Sequence, residues 1–324
     1  MLILKPIKMF KNKLSLPKLA IFFSLIAICV ISCGLFINSS PVKTTTVEVP
    51  HQYNTPVHIP SSVEFAGEKV SLENFDVHEA LDRELLVNSY FQSQTILYLK
   101  KTRRYFQVIE PILKNNNIPD DFKYLSLAES GFQEKIISPA GATGLWQLMK
   151  KAAIENGLEV NSEVDERYNM EKSTLAACRY LNHAYRLYGS WIIVAATYNA
   201  GINGIRRQTE FQDSKNYFDL YLNEETSRYV YRIIALKQIM ENPEKYGFKV
   251  TEEEKYPVLK YREVTMSGSV SNLAKYAHDQ GINYKILKYF NPWLRQTSLK
   301  NPSRKSYLLK IPEPGTRTFE LEKN

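Results

Sequence analysis

Apolar residues recur at helical spacing through most of residues 77–245, and this pattern predicts an all-helical region without strands. Two helices are expected between Val77 and Asn117, with a kink at Pro111 or a boundary near Glu110. A third helix carries Glu129 and breaks at Gly131, and residues 201–223 are expected to be a loop. The remaining helices are predicted at Leu145–Asn156, Met170–Tyr188, Trp191–Tyr198 and Glu224–Met240.

The pattern changes after residue 248. Alternating apolar and polar residues in 249–264 predict a strand, and SYLLKIP at 306–312 predicts a second one. Between them, 270–279 and 284–289 have the spacing of two short helices. The order strand, helix, helix, strand predicts a small α+β unit, so the fold class is mainly α with a βααβ C-terminal domain.

Glu129 stands out in the segment YLSLAESGF because its helical neighbours are apolar. Burial among such residues raises the pKa of a carboxyl group, which suits a general acid working near neutral pH. A single glutamate near a helix end is more often an exposed surface residue. Other motifs in the chain therefore have to decide between the two interpretations.

The N-terminus has the features of an export leader. Five lysines and no acidic residue precede residue 19, and an apolar run follows to Ile37. Within it, Val30-Ile31-Ser32-Cys33 resembles a bacterial lipobox, with Cys33 as the lipidated residue. The run is also long enough for an uncleaved anchor, but the lipoprotein is favoured. We therefore divide the chain into a signal peptide or membrane anchor (1–37), a proline-containing linker (38–76), a helical domain (77–248) and a C-terminal domain with a tail (249–324).

The composition excludes several classes of function. The 324 residues carry a net charge of +8, but no basic cluster is interleaved with aromatic residues, so nucleic acid is not an expected partner. Cys178 is the single cysteine outside the leader, which rules out an intrachain disulfide there, and it is interpreted as a buried core thiol. The five histidines lack ligand spacing, so we expect neither a metal nor an organic cofactor. Nothing in the pattern specifies an oligomeric state.

Four blocks in residues 105–248 resemble, in order, the motifs of the soluble lytic transglycosylase domain, a relative of goose-type lysozyme. The blocks are AESGF, ISPAGATGLWQLM, AATYNAG and EETSRYV. Thr197 and Lys150 depart from the usual pattern without replacing a reactive group. The segment VDERYNMEKSTLAACRYL and the pairing with a C-terminal domain are similar to the membrane-bound transglycosylase D type. Residues 261–311 resemble a LysM peptidoglycan-binding domain, with Ser269 where Asp is common.

The resemblance implies a lysozyme-like helical catalytic domain that acts on peptidoglycan glycan strands. It implies that Glu129 protonates the bond between N-acetylmuramic acid and N-acetylglucosamine. The same carboxylate then takes a proton from the muramic acid C6 hydroxyl and leaves a 1,6-anhydro end. The substrate N-acetyl group replaces the second carboxylate of ordinary glycosidases. Glu134, Asp165, Glu171 and Glu225 stay open as possible acidic neighbours.

The resemblance also implies roles for further residues. Ser138 and Tyr198 would hold the N-acetyl group or position the acid, Gln147 and Met149 would contact the sugar, and Asn199 would hydrogen-bond locally. Glu225 is interpreted as a buried structural partner near the site, and Tyr229 as a core residue. A lysozyme-type hydrolase and a non-catalytic peptidoglycan-binding scaffold are the alternative functions. The LysM-like domain is either a glycan-binding module or a structural appendage.

Overall fold

The computed structural model describes residues 55–318, and helices dominate this part of the chain. The helices that precede the C-terminal domain are α1 (Phe75–Tyr90), α2 (Gln92–Asn115), α3 (Phe122–Ser130), α4 (Lys150–Glu155), α5 (Met170–Tyr188), α6 (Trp191–Ala200), α7 (Ile202–Phe211) and α8 (Glu224–Glu241). Short 3₁₀ helices lie at Glu166–Tyr168, Tyr217–Asp219 and Pro243–Tyr246. The prediction of a mainly helical fold is confirmed.

The C-terminal domain has the predicted βααβ order. Its elements are β3 (Tyr261–Ser267), α9 (Leu273–Asp279), α10 (Tyr284–Phe290) and β4 (Ser306–Pro312). The two strands are antiparallel, and their register places Tyr261 opposite Pro312 and Ser267 opposite Ser306. Apolar residues from both strands and both helices form a core that is separate from the larger helical core.

Capping residues define several helix boundaries. The side chains of Asn169, Ser190 and Asn223 accept hydrogen bonds from backbone N–H groups in the first turns of α5, α6 and α8. Gly189 ends α5 in a left-handed conformation. These signals are local in the sequence, which explains why α5 begins and ends at the predicted residues.

Helix α6 lies at the centre of the helical region. Its side chains from Ile192 to Thr197 are all buried, as expected for a helix that is apolar on every side. It packs against α5, α7 and α8. The helix ends at Gly201, and Asn199 in its last turn donates a hydrogen bond to Glu225 of α8.

Two stretches differ from the predicted secondary structure. Residues 201–223 contain α7 and a 3₁₀ helix rather than the expected loop. This helix was not predicted because it carries only three large apolar residues, Ile202, Ile205 and Phe211, and buries only Ile205. The helix expected from Leu145 begins at Lys150, because Thr143 and Leu148 pair across a tight turn. Helix α2 continues through Pro111.

The segment before α1 also differs from the linker expected over residues 38–76. A short hairpin joins β1 (Glu64–Phe65) and β2 (Glu68–Lys69), and its residues Val63, Phe65 and Val70 are buried in the helical core. The Glu68 carboxylate accepts hydrogen bonds from Ser190 Oγ, at 2.7 Å, and from the Trp191 N–H at the start of α6. Strands of two residues are too short to show a period, so sequence patterning missed this packing.

The described residues belong to one compact unit, which begins at Thr55. Among residues 55–318, the helices lack the combination of length and apolar character needed to span a membrane. The predicted leader, including Cys33, lies outside the described residues.

Candidate active site around Glu129

Glu129 lies in the last turn of α3, a helix whose other side chains are mostly buried. The helix ends at Gly131, which has a φ of 56°. A Cβ atom on Gly131 would come within 2.6 Å of the Tyr98 ring, so both the conformation and the close contact require glycine. The chain turns away there, and the Glu129 side chain stays partly exposed at the edge of the core.

The surroundings of Glu129 raise the pKa of its carboxyl group to about 7. Burial is the largest cause, because the charged form loses hydration. A hydrogen bond from Tyr229 and the positive charge of Arg232 act in the opposite direction, whereas the negative charge of Glu225 raises the pKa further. Such a group can both donate and accept a proton near neutral pH.

The three side chains that act on Glu129 lie on one face of α8. Glu225, Tyr229 and Arg232 are separated by four and three residues, which places them on the same side of a helix. The Tyr229 hydroxyl is buried and donates its hydrogen bond to Glu129 Oε1. Helices α3 and α8 pack against each other, and this contact assembles the site.

The structure distinguishes among the four possible acidic neighbours of Glu129. Asp165 forms an ion pair with Arg167, and Glu171 forms one with Lys310. Glu134 lies beside the Tyr105 hydroxyl, and burial raises the pKa of this second carboxyl group. Glu225 is the neighbour whose charge reaches Glu129.

Ser138 closes the turn that follows Glu129. Its Oγ accepts a hydrogen bond from the Ala142 N–H at 3.0 Å, and its N–H donates to the Ala142 carbonyl at 2.8 Å. Among the hydrogen bonds of residues 55–318, none joins Ser138 to Glu129. The described contacts therefore give Ser138 a role in shaping the turn.

Gln147 and Met149 lie on the far side of the same turn. Gln147 has a φ of 45°, and its Nε2 donates to the Gly144 carbonyl at 2.9 Å and to the Ile136 carbonyl at 3.4 Å. In the described part of the chain, Gln147 Oε1 receives no hydrogen bond. Met149 precedes α4 and is 47% exposed. Both side chains are thus able to contact a ligand.

Tyr198 and Asn199 reach the site from the end of α6. The Tyr198 hydroxyl donates to the Trp146 carbonyl at 2.7 Å. Burial raises the pKa of this phenol, and the nearby charge of Glu129 raises it further. Asn199 Nδ2 donates to Glu225 Oε1 at 2.9 Å, and its Oδ1 accepts from Thr226 Oγ1 at 2.8 Å. Glu225 is exposed, so its expected burial was wrong, because the first turn of α8 faces solvent there.

The interactions of Tyr229 and Arg232 with the acid were not predicted from the sequence. Tyr229 is buried, as its interpretation as a core residue predicts, but its hydroxyl points at the acid. The signal that was present is the spacing within EETSRYVYR, which places Glu225, Tyr229 and Arg232 on one helix face. That spacing does not show which other helix the face contacts.

Neither a reactive thiol nor a metal-binding cluster is available in residues 55–318. Cys178 is buried, and burial raises the pKa of its thiol to about 12, which disfavours the nucleophilic thiolate. The described residues contain no group of three or more His, Cys, Asp or Glu side chains placed to hold a metal ion.

Two segments of the chain match known protein families. Residues 106–220 match the transglycosylase SLT domain family, and residues 262–315 match the soluble lytic transglycosylase C-terminal LysM-like domain family. The membrane-bound lytic murein transglycosylase D of Escherichia coli K12 is 27% identical over 243 residues, which are 72% of this chain and 52% of the relative. The same figures hold for its counterpart in the O6:H1 strain. The chain thus spans about half the length of these curated relatives.

Two crystal structures are similar to a smaller part of the chain. The 70 kDa soluble lytic transglycosylase of Escherichia coli has a TM-score of 0.38 and 21% identity, covering 48% of this chain and 27% of that one. The lytic transglycosylase Slt of Pseudomonas aeruginosa has a TM-score of 0.35 and 20% identity, and the match covers 47% of this chain and 26% of that one. The family matches establish that the chain carries a transglycosylase SLT domain at residues 106–220, followed at residues 262–315 by the LysM-like domain of soluble lytic transglycosylases.

Proposed function

We propose that this protein is a lytic transglycosylase, which cleaves the β-1,4 bond between N-acetylmuramic acid and N-acetylglucosamine in peptidoglycan and leaves 1,6-anhydro ends. The observation that carries the proposal is the state of Glu129, whose pKa is raised to about 7 by burial while Tyr229 donates a hydrogen bond to it. The match to the SLT domain supports the same reaction class.

In the first step the protonated Glu129 gives its proton to the glycosidic oxygen as the bond from that oxygen to C1 breaks. The N-acetyl group of the substrate stabilises the electron-deficient C1. Glu129 is now a carboxylate, and the Tyr229 hydrogen bond and the Arg232 charge stabilise it, since both favour the ionised form.

In the second step the muramic acid C6 hydroxyl attacks C1. Glu129 accepts the hydroxyl proton, so the enzyme returns to its starting state and no water is consumed. One residue serves as both acid and base, which requires a pKa close to the working pH. The raised pKa of Glu129 meets that requirement.

The other residues of the site shape the groove. We assign contacts with the sugar to Gln147 and Met149. Among residues 55–318, no donor binds the side-chain carbonyl oxygen of Gln147, and the Met149 side chain is exposed. Ser138 and Tyr198 support the turn through their hydrogen bonds, and this arrangement positions the N-acetyl group. Asn199 and Glu225 hold the first turn of α8 in place through their hydrogen bond.

We further propose that the protein acts in the cell envelope and faces the periplasm. The lysine-rich and apolar leader supports this localisation, with lipidation at Cys33 favoured over an uncleaved anchor. The C-terminal domain is proposed to bind glycan strands, with a purely structural appendage as the alternative.

Mass spectrometry of muropeptides released from purified peptidoglycan tests the reaction. Anhydro-muropeptides are expected from the wild-type chain, and their loss is expected in Glu129→Gln. Products with reducing ends would instead identify a hydrolase, and an absence of released products would indicate a binding scaffold. Full activity in Glu129→Gln would remove Glu129 from the mechanism.

A further inference from the structure

Arg167 forms a buried clasp with Asp165 in the segment between α4 and α5. Its Nε donates to Asp165 Oδ1 at 3.0 Å and its Nη2 donates to Asp165 Oδ2 at 2.7 Å. Both side chains are about 10% exposed. This two-point pairing fixes the plane of the guanidinium group, so its remaining N–H groups point in a defined direction.

The remaining donor of the clasp holds the turn that carries Gln147. Arg167 Nη1 donates to the Gly141 carbonyl at 3.0 Å and to the Leu148 carbonyl at 3.1 Å. These two carbonyls lie on either side of Gln147 and precede Met149. One guanidinium group therefore ties together the two ends of residues 141–148, which contain Gln147 and directly precede Met149.

The backbone of Arg167 presses against the same turn. A Cβ atom on Gly144 would lie 2.2 Å from the Arg167 carbonyl oxygen. The turn is thus fixed by the side chain of Arg167 at its ends and by its main chain in the middle. Such packing permits little change in shape without movement of the segment that contains Arg167.

The segment that carries the clasp also pairs with the C-terminal domain. The Asp165 N–H donates to the Trp293 carbonyl at 2.9 Å, and the Arg295 N–H donates to the Glu163 carbonyl at 2.8 Å. Val164 pairs with Leu294 as an antiparallel bridge. The Arg295 guanidinium lies 4.0 Å from the centre of the Tyr168 ring. Asp165 therefore connects the C-terminal domain, through its backbone, with Arg167, through its side chain.

We propose that Arg167 is a positioning residue that sets the shape of the sugar-contacting turn, and that the C-terminal domain braces it through residues 163–168. This inference rests on the proposed function, because it assumes that Gln147 and Met149 contact the glycan. It assigns the C-terminal domain a task in shaping the groove, in addition to any glycan binding of its own.

Different parts of the fold hold the acid and the residues that bind the substrate. Glu129 is held by α3 and α8, whereas the clasp holds the turn. Loss of the clasp should therefore raise KM about tenfold or more, because misplaced contacts weaken binding of the glycan. The pH at which kcat declines on the alkaline side is set by Glu129, so it should be the same as in the wild type.

The test uses the full chain with soluble peptidoglycan strands as substrate. Arg167→Met is expected to raise KM, and Arg167→Lys is expected to be intermediate, because lysine keeps the charge without the two-point pairing. Arg179→Lys is the matched control. Arg179 donates a hydrogen bond of 2.7 Å to the Asn156 carbonyl, which is not part of the turn, so this variant should leave KM unchanged. Arg295→Met should raise KM by a smaller factor than Arg167→Met.

Hydrogen exchange adds a readout that does not depend on catalysis. The Arg167 variants should lose protection at the Thr143, Gly144 and Leu148 amides, whose N–H groups are bonded within the turn, but not at α3. If Arg167→Met does not fold, the KM and the hydrogen exchange of Arg167→Lys test the role of Arg167 instead. Unchanged KM and unchanged protection would overturn the role of Arg167, and wild-type KM in Arg295→Met would overturn the brace. An inactive wild-type chain would instead contradict the proposed function, while the exchange result would still test the clasp.

Discussion

The Tyr229 hydroxyl donates a hydrogen bond to the Glu129 carboxylate across the contact between α3 and α8. The two residues are 100 positions apart in the chain. Burial raises the pKa of the acid and this hydrogen bond lowers it, so the balance between the two sets the pH at which Glu129 loses its proton.

The first prediction concerns the hydrogen bond. In Tyr229→Phe the ionised form of Glu129 loses its donor, so the pKa of Glu129 should rise and the alkaline limb of the kcat profile should move to higher pH. The rate at pH 6 should fall about tenfold, because the carboxylate formed in the first step is less stable. The measurement is initial rate of anhydro-muropeptide release between pH 4 and pH 9.

Tyr231→Phe is the matched control for this change. Tyr231 is buried on the same helix and does not act on the pKa of Glu129. Its variant should keep the wild-type pH profile. An unshifted profile in Tyr229→Phe would show that the hydrogen bond does not set the pKa of Glu129.

The second prediction concerns the acid itself. Glu129→Gln should reduce anhydro-muropeptide release at least 10³-fold, because general acid and base catalysis are both lost. Wild-type activity should decline above a pH of about 7, where the acid becomes ionised. Glu134→Gln is the control, since burial raises the pKa of that carboxyl as well but Glu134 lies beside Tyr105. Equal losses in the two variants would mean that Glu129 has no special role.

The third prediction concerns stability against pH. The pKa of Glu129 is raised from an ordinary value of 4.5 to about 7, so the folded state holds this proton more tightly than the unfolded state. Its contribution to stability is fully present below pH 4.5, falls between pH 4.5 and 7, and stays low above that window. Glu129→Gln removes the dependence and keeps an oxygen that accepts from Tyr229.

The variant should therefore unfold at a higher denaturant concentration than the wild type at pH 8 and at a similar one at pH 4. At pH 8 the free energies of unfolding of the two proteins should differ by on the order of 1–3 kcal/mol, since partial exposure of Glu129 reduces the cost of burying its charge. Urea unfolding at both pH values measures it. A variant less stable than the wild type at pH 8 would contradict a raised pKa for Glu129.

The fourth prediction compares two glycines in the turn. Gly141 has a φ of 87° and open space around it, whereas Gly144 has a φ of 79° and lies against the Arg167 carbonyl. Gly141→Ala should cost about 1 kcal/mol from backbone strain alone. Gly144→Ala should cost about 3 kcal/mol or more, because a Cβ atom there forces the main chain to move. Thermal unfolding of both variants checks this, and equal losses would rule out the close contact.

Much of the secondary structure could be predicted because its signals are local. Helix α5 lies between the capping side chain of Asn169 and the left-handed Gly189, and the chain itself supplies both signals. Helix α7 was missed because it is mostly polar and buries only Ile205. The β1–β2 hairpin was missed because its burial depends on partners far along the chain, such as Asp121, whose carboxylate accepts from the Ala66 N–H at 2.6 Å.

The sequence by itself determined the order of the helices, the βααβ C-terminal domain and the apolar helix that carries Glu129. Only the tertiary structure decided that Tyr229 donates to this acid, that Glu225 is its acidic neighbour, and that Asp165 pairs with Arg167 instead. Helical periodicity tells which face of a helix is apolar, because side-chain directions repeat every 3.6 residues. It does not tell which helix covers that face, because packing depends on the shapes of two surfaces that are remote from each other in the chain.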